Sequence, residues 1–251
     1  NTWATPSGGG GASLPTGCSS GDYPRYYSSS WLCSSSAQFL YMDRAVLHFA
    51  FEEASGNFTS SIGSYTATPS SVSYQSTGKN NYAVTLDATG DYIAVAGSPM
   101  QNASYSVSAW VYLTSTPPAT YESTIYYWGA TSGCNTSRYF TISNARKLTI
   151  RTACATTITS TGTIPLNTWT FVTVALSSSE VAKLYINGAL DGSGSPGSMG
   201  NVGNDLIGAC YWGGSINCPV LGRIDEVTVW SKELSASEVS ALYNSGSGLF
   251  P

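Results

Sequence analysis

The stretch Lys183-Leu-Tyr-Ile-Asn-Gly-Ala-Leu190 and the later stretch Gly222-Arg-Ile-Asp-Glu-Val-Thr-Val-Trp230 decide the fold class. In the first, Asn187-Gly188 separates two apolar runs, and both residues tolerate the positive φ of a type I′ hairpin turn. In the second, β-branched and aromatic residues predict a long strand over residues 223–230. A hairpin and a long strand close together favour an antiparallel β-sheet protein.

One short helix is predicted directly after that strand. Ser235 and Glu238 have the spacing of a capping box, in which each side chain accepts a hydrogen bond from the backbone of the other residue. Val239, Leu242 and Tyr243 then form one short apolar helical face. The β-rich part of the chain therefore ends in a single helix.

Short strands separated by turn residues fill most of the chain from Ala45 onward. Residues 106–113 alternate most clearly, with Val107, Ala109, Val111 and Leu113 on one face and polar or aromatic residues on the other. Further strands are predicted at residues 45–51, 82–86, 92–95, 124–128, 138–142, 147–151, 169–176, 181–186, 202–207 and 224–230. So many strands with one helix predict an all-β sandwich of two packed antiparallel sheets.

Composition limits the classes of partner. The 251 residues are 42% hydrophobic, which is enough to bury a sizeable core. Only 10% are charged, against about 25% in an ordinary globular protein, and the net charge is −4. No basic stripe is present, so nucleic acid and anionic membrane surfaces are not expected as partners, and no apolar run reaches the ~18 residues of a membrane span. A surface of Ser, Thr, Gly and Tyr favours glycan or a packed assembly as the partner.

The six cysteines indicate disulfides rather than a metal site. They are neither in close C-x-x-C pairs nor accompanied by histidines, since the chain has one His. We expect the three local pairs, Cys18–Cys33, Cys134–Cys154 and Cys210–Cys218, because each closes a plausible loop. Disulfides persist in oxidising compartments, so we expect a mature secreted protein, extracellular or at a cell surface.

Residues 1–44 differ from the rest of the chain. Gly, Pro, Ser and Tyr dominate this segment, and Cys18 and Cys33 are expected to staple it. We therefore divide the chain into an irregular N-terminal extension, residues 1–44, and a sandwich with a short C-terminal tail, residues 45–251. The extension is either draped over the sandwich or an arm that docks on a neighbouring copy, and the sequence leaves both open.

Asn57, Asn102 and Asn135 each begin an N-glycosylation sequon. Chance alone produces sequons in a chain so rich in Ser and Thr. They are candidate glycosylation sites in a eukaryotic secretory route.

Five ordered strings resemble the laminin G-like domains of the concanavalin A-like lectin/glucanase superfamily. They are Tyr82-Ala-Val-Thr-Leu-Asp-Ala-Thr-Gly-Asp-Tyr-Ile-Ala-Val95, Ser104-Tyr-Ser-Val-Ser-Ala-Trp-Val-Tyr-Leu113, Asn167-Thr-Trp-Thr-Phe-Val-Thr-Val-Ala-Leu176, Ala182-Lys-Leu-Tyr-Ile-Asn-Gly-Ala-Leu190 and Gly222-Arg-Ile-Asp-Glu-Val-Thr-Val-Trp230. The resemblance covers roughly residues 45–244 and implies a jelly-roll sandwich of two large antiparallel sheets. It is less informative about function, because the fold hosts lectins, adhesion modules and glycosidases.

Nothing in the sequence has the pattern of a catalytic site. Related endo-glucanases carry Glu-x-Asp-x-x-Glu on one strand, and no such string occurs here. Glu52-Glu53 and Asp225-Glu226 are adjacent pairs, which point to opposite faces of a strand. The single histidine, His48, is expected to be a strand residue near the sheet margin. We expect no enzyme, and a glycoside hydrolase is the least favoured function.

Asp225 is the acid with the clearest candidate role. In regular alternation it shares a face with Val227 and Val229, so we expect its carboxylate to point inward, where burial is costly unless the charge is compensated. The resemblance implies a Ca²⁺ ion here, with Asp225 and Glu52 as ligands. The competing interpretation is that Arg223 or backbone N–H groups satisfy Asp225.

The loop between Cys210 and Cys218 is the candidate carbohydrate site. A sugar offers apolar C–H patches and hydroxyls, so it needs exposed aromatic faces beside polar groups. A disulfide would pin the ends of this loop, and Tyr211 and Trp212 would provide the aromatic faces. Asn204, Asp205 and Asn217 would provide the polar partners. Tyr126, Tyr127 and Trp128 form a second candidate group. The competing interpretation is that Trp212 and Trp128 fill the sandwich.

Two functions remain. The first is a non-catalytic extracellular recognition module that binds glycan or glycoprotein, with Ca²⁺ dependence as a further expectation. The second is a structural subunit of an extracellular filament, sheath or surface layer, in which residues 1–44 mediate self-association.

Overall fold

The computed structural model of the chain describes residues 23–27, 30–34, 44–100, 104–199 and 203–250. Contacts divide the chain into two compact units, Asn1–Asp43 and Arg44–Pro251. In the first unit, β1 (Tyr23–Tyr27) and β2 (Ser30–Ser34) pair antiparallel. Cys18 lies outside the described residues, so the Cys18–Cys33 pair and the assembly role of the N-terminal segment stay predictions.

The second unit contains two large antiparallel sheets, and the first is called sheet 1. In spatial order its strands are β13 (Thr157–Thr159), β12 (Leu148–Thr152), β11 (Ser137–Ile142), β10 (Ser123–Gly129), β17 (Asn204–Ile207), β8 (Tyr92–Val95), β5 (Thr66–Ser70) and β4 (Phe58–Thr59). The two halves of this sheet meet at β17, which comes from a late part of the chain.

Sheet 2 holds the long strand that the sequence predicts near the C-terminus. In spatial order its strands are β16 (Ala189–Gly194), β15 (Ala182–Ile186), β14 (Thr170–Leu176), β9 (Tyr105–Leu113), β20 (Gly222–Trp230), β7 (Tyr82–Leu86) and β6 (Ser73–Thr77). β3 (Ala45–Phe49) also pairs with β20, over the second half of that strand, while β7 pairs with its first half.

The apolar faces of the two sheets form one core. Val107, Ala109, Val111 and Leu113 of β9 lie in it, as their alternation predicts. Phe140 of sheet 1 belongs to the same cluster of buried side chains. The jelly-roll sandwich predicted from the sequence is confirmed.

The local signals at the C-terminal end are also confirmed. Asn187 and Gly188 have φ values of 49° and 80° between the paired strands β15 and β16. Helix α1 spans Ala236–Tyr243, and Ser235 and Glu238 form the capping box. Tyr243 of this helix packs against Trp110 at a ring distance of 6.0 Å, which helps to bury the face of β9 turned away from the core.

The short strands at the sheet margins were missed by the sequence analysis. β4, β5, β6 and β13 are two to five residues long and rich in Ser and Thr. Their hydrophobic alternation is weak because strands at or next to a sheet edge bury little side-chain area. Within the described part of the chain, no helix is long and apolar enough to span a membrane.

Candidate functional site

The candidate site is built around a two-stranded hairpin, β18 (Cys210–Trp212) and β19 (Ser215–Asn217). Gly213 and Gly214 have φ values of 60° and 81°, so both central residues of the turn are left-handed, as a type I′ turn requires. The disulfide Cys210–Cys218 closes the base of the hairpin, as predicted from the sequence. The second described disulfide, Cys134–Cys154, was also predicted.

The hairpin lies on the outer face of sheet 1, over a small apolar cluster. That cluster contains Tyr127, Tyr139, Leu206 and both cysteines of the hairpin. Tyr211 packs edge-on against Tyr127 at a ring distance of 5.8 Å. Tyr211 is thus the half-buried anchor of the hairpin. Its neighbour Trp212, at the turn, has 54% of its surface exposed.

Arg151 of β12 lies between two aromatic rings at this face. Tyr139 is directly opposite Arg151 in the register of β11 and β12, and the guanidinium carbon is 4.0 Å from the centre of that ring. The same carbon is 5.5 Å from the centre of the Trp212 ring. Arg151 Nε donates to Glu122 Oε2 at 3.2 Å, and the Thr141 hydroxyl donates to the same oxygen at 2.8 Å. Stacking and the ion pair together fix the orientation of the guanidinium.

A groove of about 310 Å³, called the Trp212 groove below, opens beside this arrangement. Its volume is at the lower end of the range for small-molecule sites, roughly 300–1,000 Å³. Its lining residues are Pro118, Ala119, Thr120, Tyr121, Glu122, Ser143, Asn144, Arg151, Thr157, Trp212 and Cys218. Aromatic rings, hydroxyls, an amide and one ion pair therefore meet in one open surface feature.

A second depression of about 570 Å³ lies at the edge formed by β16. Leu190 and Asp191 are among its lining residues, and Leu190 is 55% exposed. Asp191 Oδ1 already accepts hydrogen bonds from the backbone N–H groups of Thr161 and Gly162, both at 2.7 Å. The described lining contains no aromatic ring. We therefore place the candidate site at the Trp212 groove.

The structure brings only part of the predicted carbohydrate site together. Trp212 lines the groove, whereas Tyr211 packs against Tyr127 and is not among the lining residues. Asn217 lies on β19, where its side-chain oxygen accepts the N–H of Cys218 at 2.8 Å. Asn204 is exposed at the start of β17, paired with Gly129. Asp205, in contrast, is buried. It is not a surface partner for a sugar.

Asp205 is held inside the sandwich by two hydroxyl groups. The Tyr126 hydroxyl donates to Oδ2 at 3.0 Å, and the Ser98 hydroxyl donates to Oδ1 at 3.1 Å. Burial raises the pKa of Asp205 to about 7, and these two hydrogen bonds limit the rise. Alternation along β17 explains the placement, because Asn204 and Leu206 face outward while Asp205 and Ile207 face the core.

The second aromatic group proposed from the sequence does not form a surface platform. Tyr126, Tyr127 and Trp128 are fully buried. Tyr126 and Trp128 belong to the core between the sheets, whereas Tyr127 lies under the hairpin. Trp128 therefore fills the sandwich, as the competing interpretation has it, whereas Trp212 does not.

Arg151, Glu122 and Asn144 are residues of the groove that the sequence analysis missed. They come from three separate segments, and Arg151 meets Trp212 only through strand register and the fold of the hairpin. Tyr139 and Arg151 are twelve positions apart, and no local sequence pattern indicates that their side chains stack. No motif in the sequence could have identified them.

Asp225, one of the two predicted metal ligands, lies away from the groove, at a bulge in β20. The register between β20 and β9 shifts between Asp225 and Thr228, and Glu226 has a φ of 54°. Because of this extra residue, Ile224 lies in the core with Val227 and Val229, and Asp225 does not. The expectation that Asp225 points inward was therefore wrong, since regular alternation ends at the bulge.

Asp225 and Glu226 are nevertheless both buried, and backbone and side-chain groups surround them. Asp225 Oδ2 accepts the N–H of Lys79 at 2.7 Å and that of Asn80 at 3.1 Å. Burial and the neighbouring Glu226 charge raise the pKa of Asp225 to about 8, and these N–H groups limit the rise. Arg223 instead donates to the carbonyl of Thr77 at 2.8 Å. Backbone N–H groups therefore satisfy one oxygen of Asp225.

Glu226 forms a buried pair with the single histidine. His48 Nε2 is 2.6 Å from Glu226 Oε2, and His48 Nδ1 is 2.6 Å from the hydroxyl oxygen of Ser61. The side chain of Asn80 donates to Glu226 Oε1 at 3.0 Å. His48 is on β3 and Glu226 on β20, so the pair ties these two strands together beside the bulge that interrupts the pairing of β20 with β9.

Glu52 lies in the same acidic cluster, which we define as His48, Glu52, Asp225 and Glu226. Partial burial raises the pKa of Glu52, and the charge of Glu226 adds to the effect. Asp225 Oδ1 is buried and makes no hydrogen bond to the described residues. The acids of this cluster offer carboxylate oxygens, which are the ligands that a hard cation prefers. No group of three or more His, Cys, Asp or Glu side chains with metal-binding geometry occurs among the described residues.

Two of the three predicted glycosylation sequons lie among the described residues. Asn57 and Asn135 are both exposed. Asn102 lies outside the described residues. Glycosylation at all three stays a prediction.

Comparison with known proteins identifies a family. The model of the concanavalin A-like lectin/glucanases superfamily named Laminin_G_3 matches residues 87–240, which is more than half of the chain. A search among curated proteins found no match.

Several solved structures share the fold at low sequence identity. Domain 4 of AbnA, an extracellular GH43 arabinanase from Geobacillus stearothermophilus, in complex with arabinotriose, is 20% identical with a TM-score of 0.62; the match covers 79% of this chain and 97% of that domain. The binding domain of Paraclostridial Mosquitocidal Protein 1 is 16% identical with a TM-score of 0.63. Trypanosoma rangeli sialidase in complex with sialic acid is 13% identical with a TM-score of 0.63.

The extent of these matches differs. The matches to the mosquitocidal binding domain and the sialidase cover 81% of this chain in each case, but only 52% and 33% of the other chain. At these identities the likeness shows a shared fold. The fold occurs both as a binding domain and within a hydrolase.

Proposed function

The chain belongs to the concanavalin A-like lectin/glucanase superfamily, and from this premise we propose that it is a non-catalytic extracellular recognition module that binds carbohydrate in the Trp212 groove. The observation that carries the proposal is the half-exposed indole of Trp212, held beside the Arg151–Glu122 ion pair. An exposed aromatic face next to fixed polar groups is the surface that a sugar ring needs.

Preorganisation of the hairpin supports this function. The disulfide, the glycine turn and the packing of Tyr211 on Tyr127 fix the hairpin before a ligand arrives. Ordering one flexible side chain on binding costs about 0.5–1.5 kcal/mol. A Trp212 side chain that is already held in place avoids this entropic cost, which the same side chain on a mobile loop would incur on binding.

The structural neighbours support the ligand class. Domain 4 of AbnA was solved with arabinotriose, and the mosquitocidal protein's fragment is a binding domain. A sugar displayed on a glycoprotein would present the same hydroxyls and C–H faces as a free oligosaccharide. We therefore propose glycans, free or attached to glycoproteins, as the partners.

The composition of the groove supports a non-catalytic role. Glycosidases of the common type place two carboxyl groups about 5–10 Å apart across the scissile bond. Among the described residues that line the groove, Glu122 is the one carboxylate, and Arg151 holds it. Such an arrangement suits binding of a sugar rather than hydrolysis.

The test replaces Trp212 with Ala and compares glycan-array and calorimetric binding with wild type. Loss of a central aromatic contact costs about 2 kcal/mol or more in a binding hot spot, so we expect at least a tenfold loss of affinity. Leu190→Ala is the matched control, because Leu190 is equally exposed but lies on β16 of sheet 2. Unchanged binding by Trp212→Ala would show that the groove is not the site.

We propose calcium as a structural ligand of the acidic cluster, separate from the groove. Asp225, through its unbonded Oδ1, and Glu52 would hold the ion, and its charge would offset the crowded carboxylates. Calorimetric titration of chelator-treated protein should show heat and a rise in melting temperature that Asp225→Asn lacks. Absence of both signals in wild type would reject the proposal.

We also propose that the protein acts outside the cell. Two disulfides are described, and such bonds persist in oxidising compartments. Thiol titration of protein purified from its native source, with and without reductant, would test this. Free thiols at Cys134, Cys154, Cys210 and Cys218 in the native material would contradict it.

A further inference from the structure

The Arg151–Glu122 pair leaves hydrogen-bonding capacity of both kinds beside Trp212. Within the described part of the chain, Arg151 uses Nε and neither terminal nitrogen as a donor. Glu122 uses Oε2 twice, and its Oε1 accepts no hydrogen bond from the described residues. The pair therefore keeps unused N–H donors and an unused acceptor oxygen next to each other, both on residues that line the groove.

Two adjacent sugar hydroxyls match this arrangement. Each hydroxyl can donate one hydrogen bond and accept others, so one can accept from the guanidinium while its neighbour donates to the carboxylate. Hydrogen bonds to charged groups are about twice as strong as neutral ones. A ring stacked on Trp212 would present such a pair of hydroxyls at its edge, because the ring's C–H face lies on the indole.

The same pair disfavours an anionic sugar. Arg151 and Glu122 are the charged residues among the described lining of the groove, and their charges cancel. A carboxylate or sulfate approaching the guanidinium also approaches Glu122. Because the two opposite unit charges lie side by side, the attraction to Arg151 and the repulsion from Glu122 have similar size, so little net attraction remains to offset desolvation.

We propose that the Trp212 groove selects neutral sugars by engaging a vicinal diol with the Arg151–Glu122 pair, and that Glu122 determines specificity by excluding acidic sugars. This inference rests on the proposed carbohydrate-binding function and names the substrate class of that site. It assigns Glu122 two roles, acceptance of a hydroxyl proton and repulsion of anions. Both depend on its charge rather than on its shape.

The experiment screens wild type on an array of neutral, uronic-acid, sialylated and sulfated glycans, and adds one matched pair of polymers. That pair is methyl-esterified homogalacturonan and the same polymer after removal of the esters, which differ in charge but not in sugar backbone. We expect the bound glycans to be neutral, with at least tenfold weaker signals for acidic counterparts. Trp212→Ala should abolish these signals.

Glu122→Gln separates charge from shape. The amide keeps the size of the side chain and leaves Arg151 with an uncompensated positive charge. We expect binding of the neutral ligands to fall about fivefold and signals from acidic glycans to rise at least threefold. Melting temperature checks that the variant folds, and Leu190→Ala serves again as the control.

The outcomes distinguish the two proposals. Acidic glycans bound as well as neutral ones, in a manner that depends on Trp212, would overturn the selection for neutral sugars and leave the carbohydrate-binding function standing. An unchanged pattern in Glu122→Gln would overturn the role of Glu122. Failure to bind any glycan would overturn the proposed function and this inference with it.

Discussion

Polar and charged side chains cluster both at the bulge in β20 and at the hairpin on sheet 1. They are buried at the bulge and open to a groove at the hairpin. At the bulge, Asp225 and Glu226 are buried and bonded to the backbone of residues 79–80 and to His48. At the hairpin, Trp212 is half exposed, and the Arg151–Glu122 pair borders an open groove. Polar groups satisfied within the chain hold the fold together, whereas polar groups left open to a groove are available to a ligand.

The bulge illustrates how a cluster of buried charges can serve stability rather than glycan binding. Removing a carboxylate from water is costly unless partners inside the protein replace the lost hydrogen bonds. Glu226 has such partners on both oxygens, from His48 and Asn80. Its contribution should therefore appear in stability, and the contribution of Trp212 in binding.

The largest effect on stability is expected from Glu226→Ala. Removing one partner of a buried pair leaves the other polar groups uncompensated and costs about 3–5 kcal/mol. The free energy of unfolding in urea measures this. Glu226→Gln retains hydrogen-bonding capacity and should cost less than half as much. A loss under about 1 kcal/mol for the alanine variant would mean that the pair does not stabilise the bulge.

Asp205→Asn tests a buried acid of sheet 1 through the pH dependence of stability. Burial raises the pKa of Asp205 from 3.8 to about 7, so the folded state holds the proton more tightly than the unfolded state does. The contribution of Asp205 to stability is therefore present below about pH 4 and is lost as pH rises to about 7, by on the order of 3–4 kcal/mol.

The asparagine variant has no charge to lose. Relative to wild type it should be less stable at pH 4, where it replaces a protonated acid that both hydroxyl groups contact, and more stable at pH 8. Thermal unfolding of both proteins across this range measures the difference. A difference that does not change with pH would show that Asp205 is not a titrating buried group.

The double variant Cys210→Ser, Cys218→Ser releases the base of the hairpin. Loss of a disulfide that closes a short loop should cost about 2–3 kcal/mol of stability. Glycan affinity should also fall about three- to tenfold, because Trp212 must then be ordered on binding.

Cys134→Ser, Cys154→Ser is the matched control for that variant. It removes a disulfide with a sequence separation of 20 that does not line the groove. We expect a comparable loss of stability and an affinity within about twofold of wild type. Equal losses of affinity in both double variants would show that the hairpin disulfide acts only through global stability.

The smallest effect is expected from Ser61→Ala. Ser61 is exposed and contacts His48 Nδ1 at 2.6 Å, so its loss removes one hydrogen bond from the rim of the acidic cluster. The cost should be about 0.5–1.5 kcal/mol in urea unfolding, with unchanged glycan binding. A change in glycan binding would show that the bulge and the groove are energetically coupled.

The site was only half predictable, for a reason that particular residues make clear. Tyr211 and Trp212 could be proposed because a disulfide loop with two glycines is a local pattern. Arg151 and Glu122 could not, because strand pairing and the fold of the hairpin bring them to Trp212 from separate segments. Asp225 was misplaced because a single inserted residue at Glu226 reverses the alternation of the strand.

The sequence by itself determined the elements whose cause is local: the Asn187-Gly188 turn, the capping box of Ser235 and Glu238, the alternating strand of residues 106–113 and the two local disulfides that are described. Each depends on neighbours a few residues apart, or on chain ends that a short loop brings together. Only the tertiary structure decided which faces are covered. Tyr127 and Trp110 are buried, and Trp212 is not, because the hairpin and α1 cover the outer faces of the sheets. Exposure depends on what packs against a residue from elsewhere in the chain, and no local pattern encodes that.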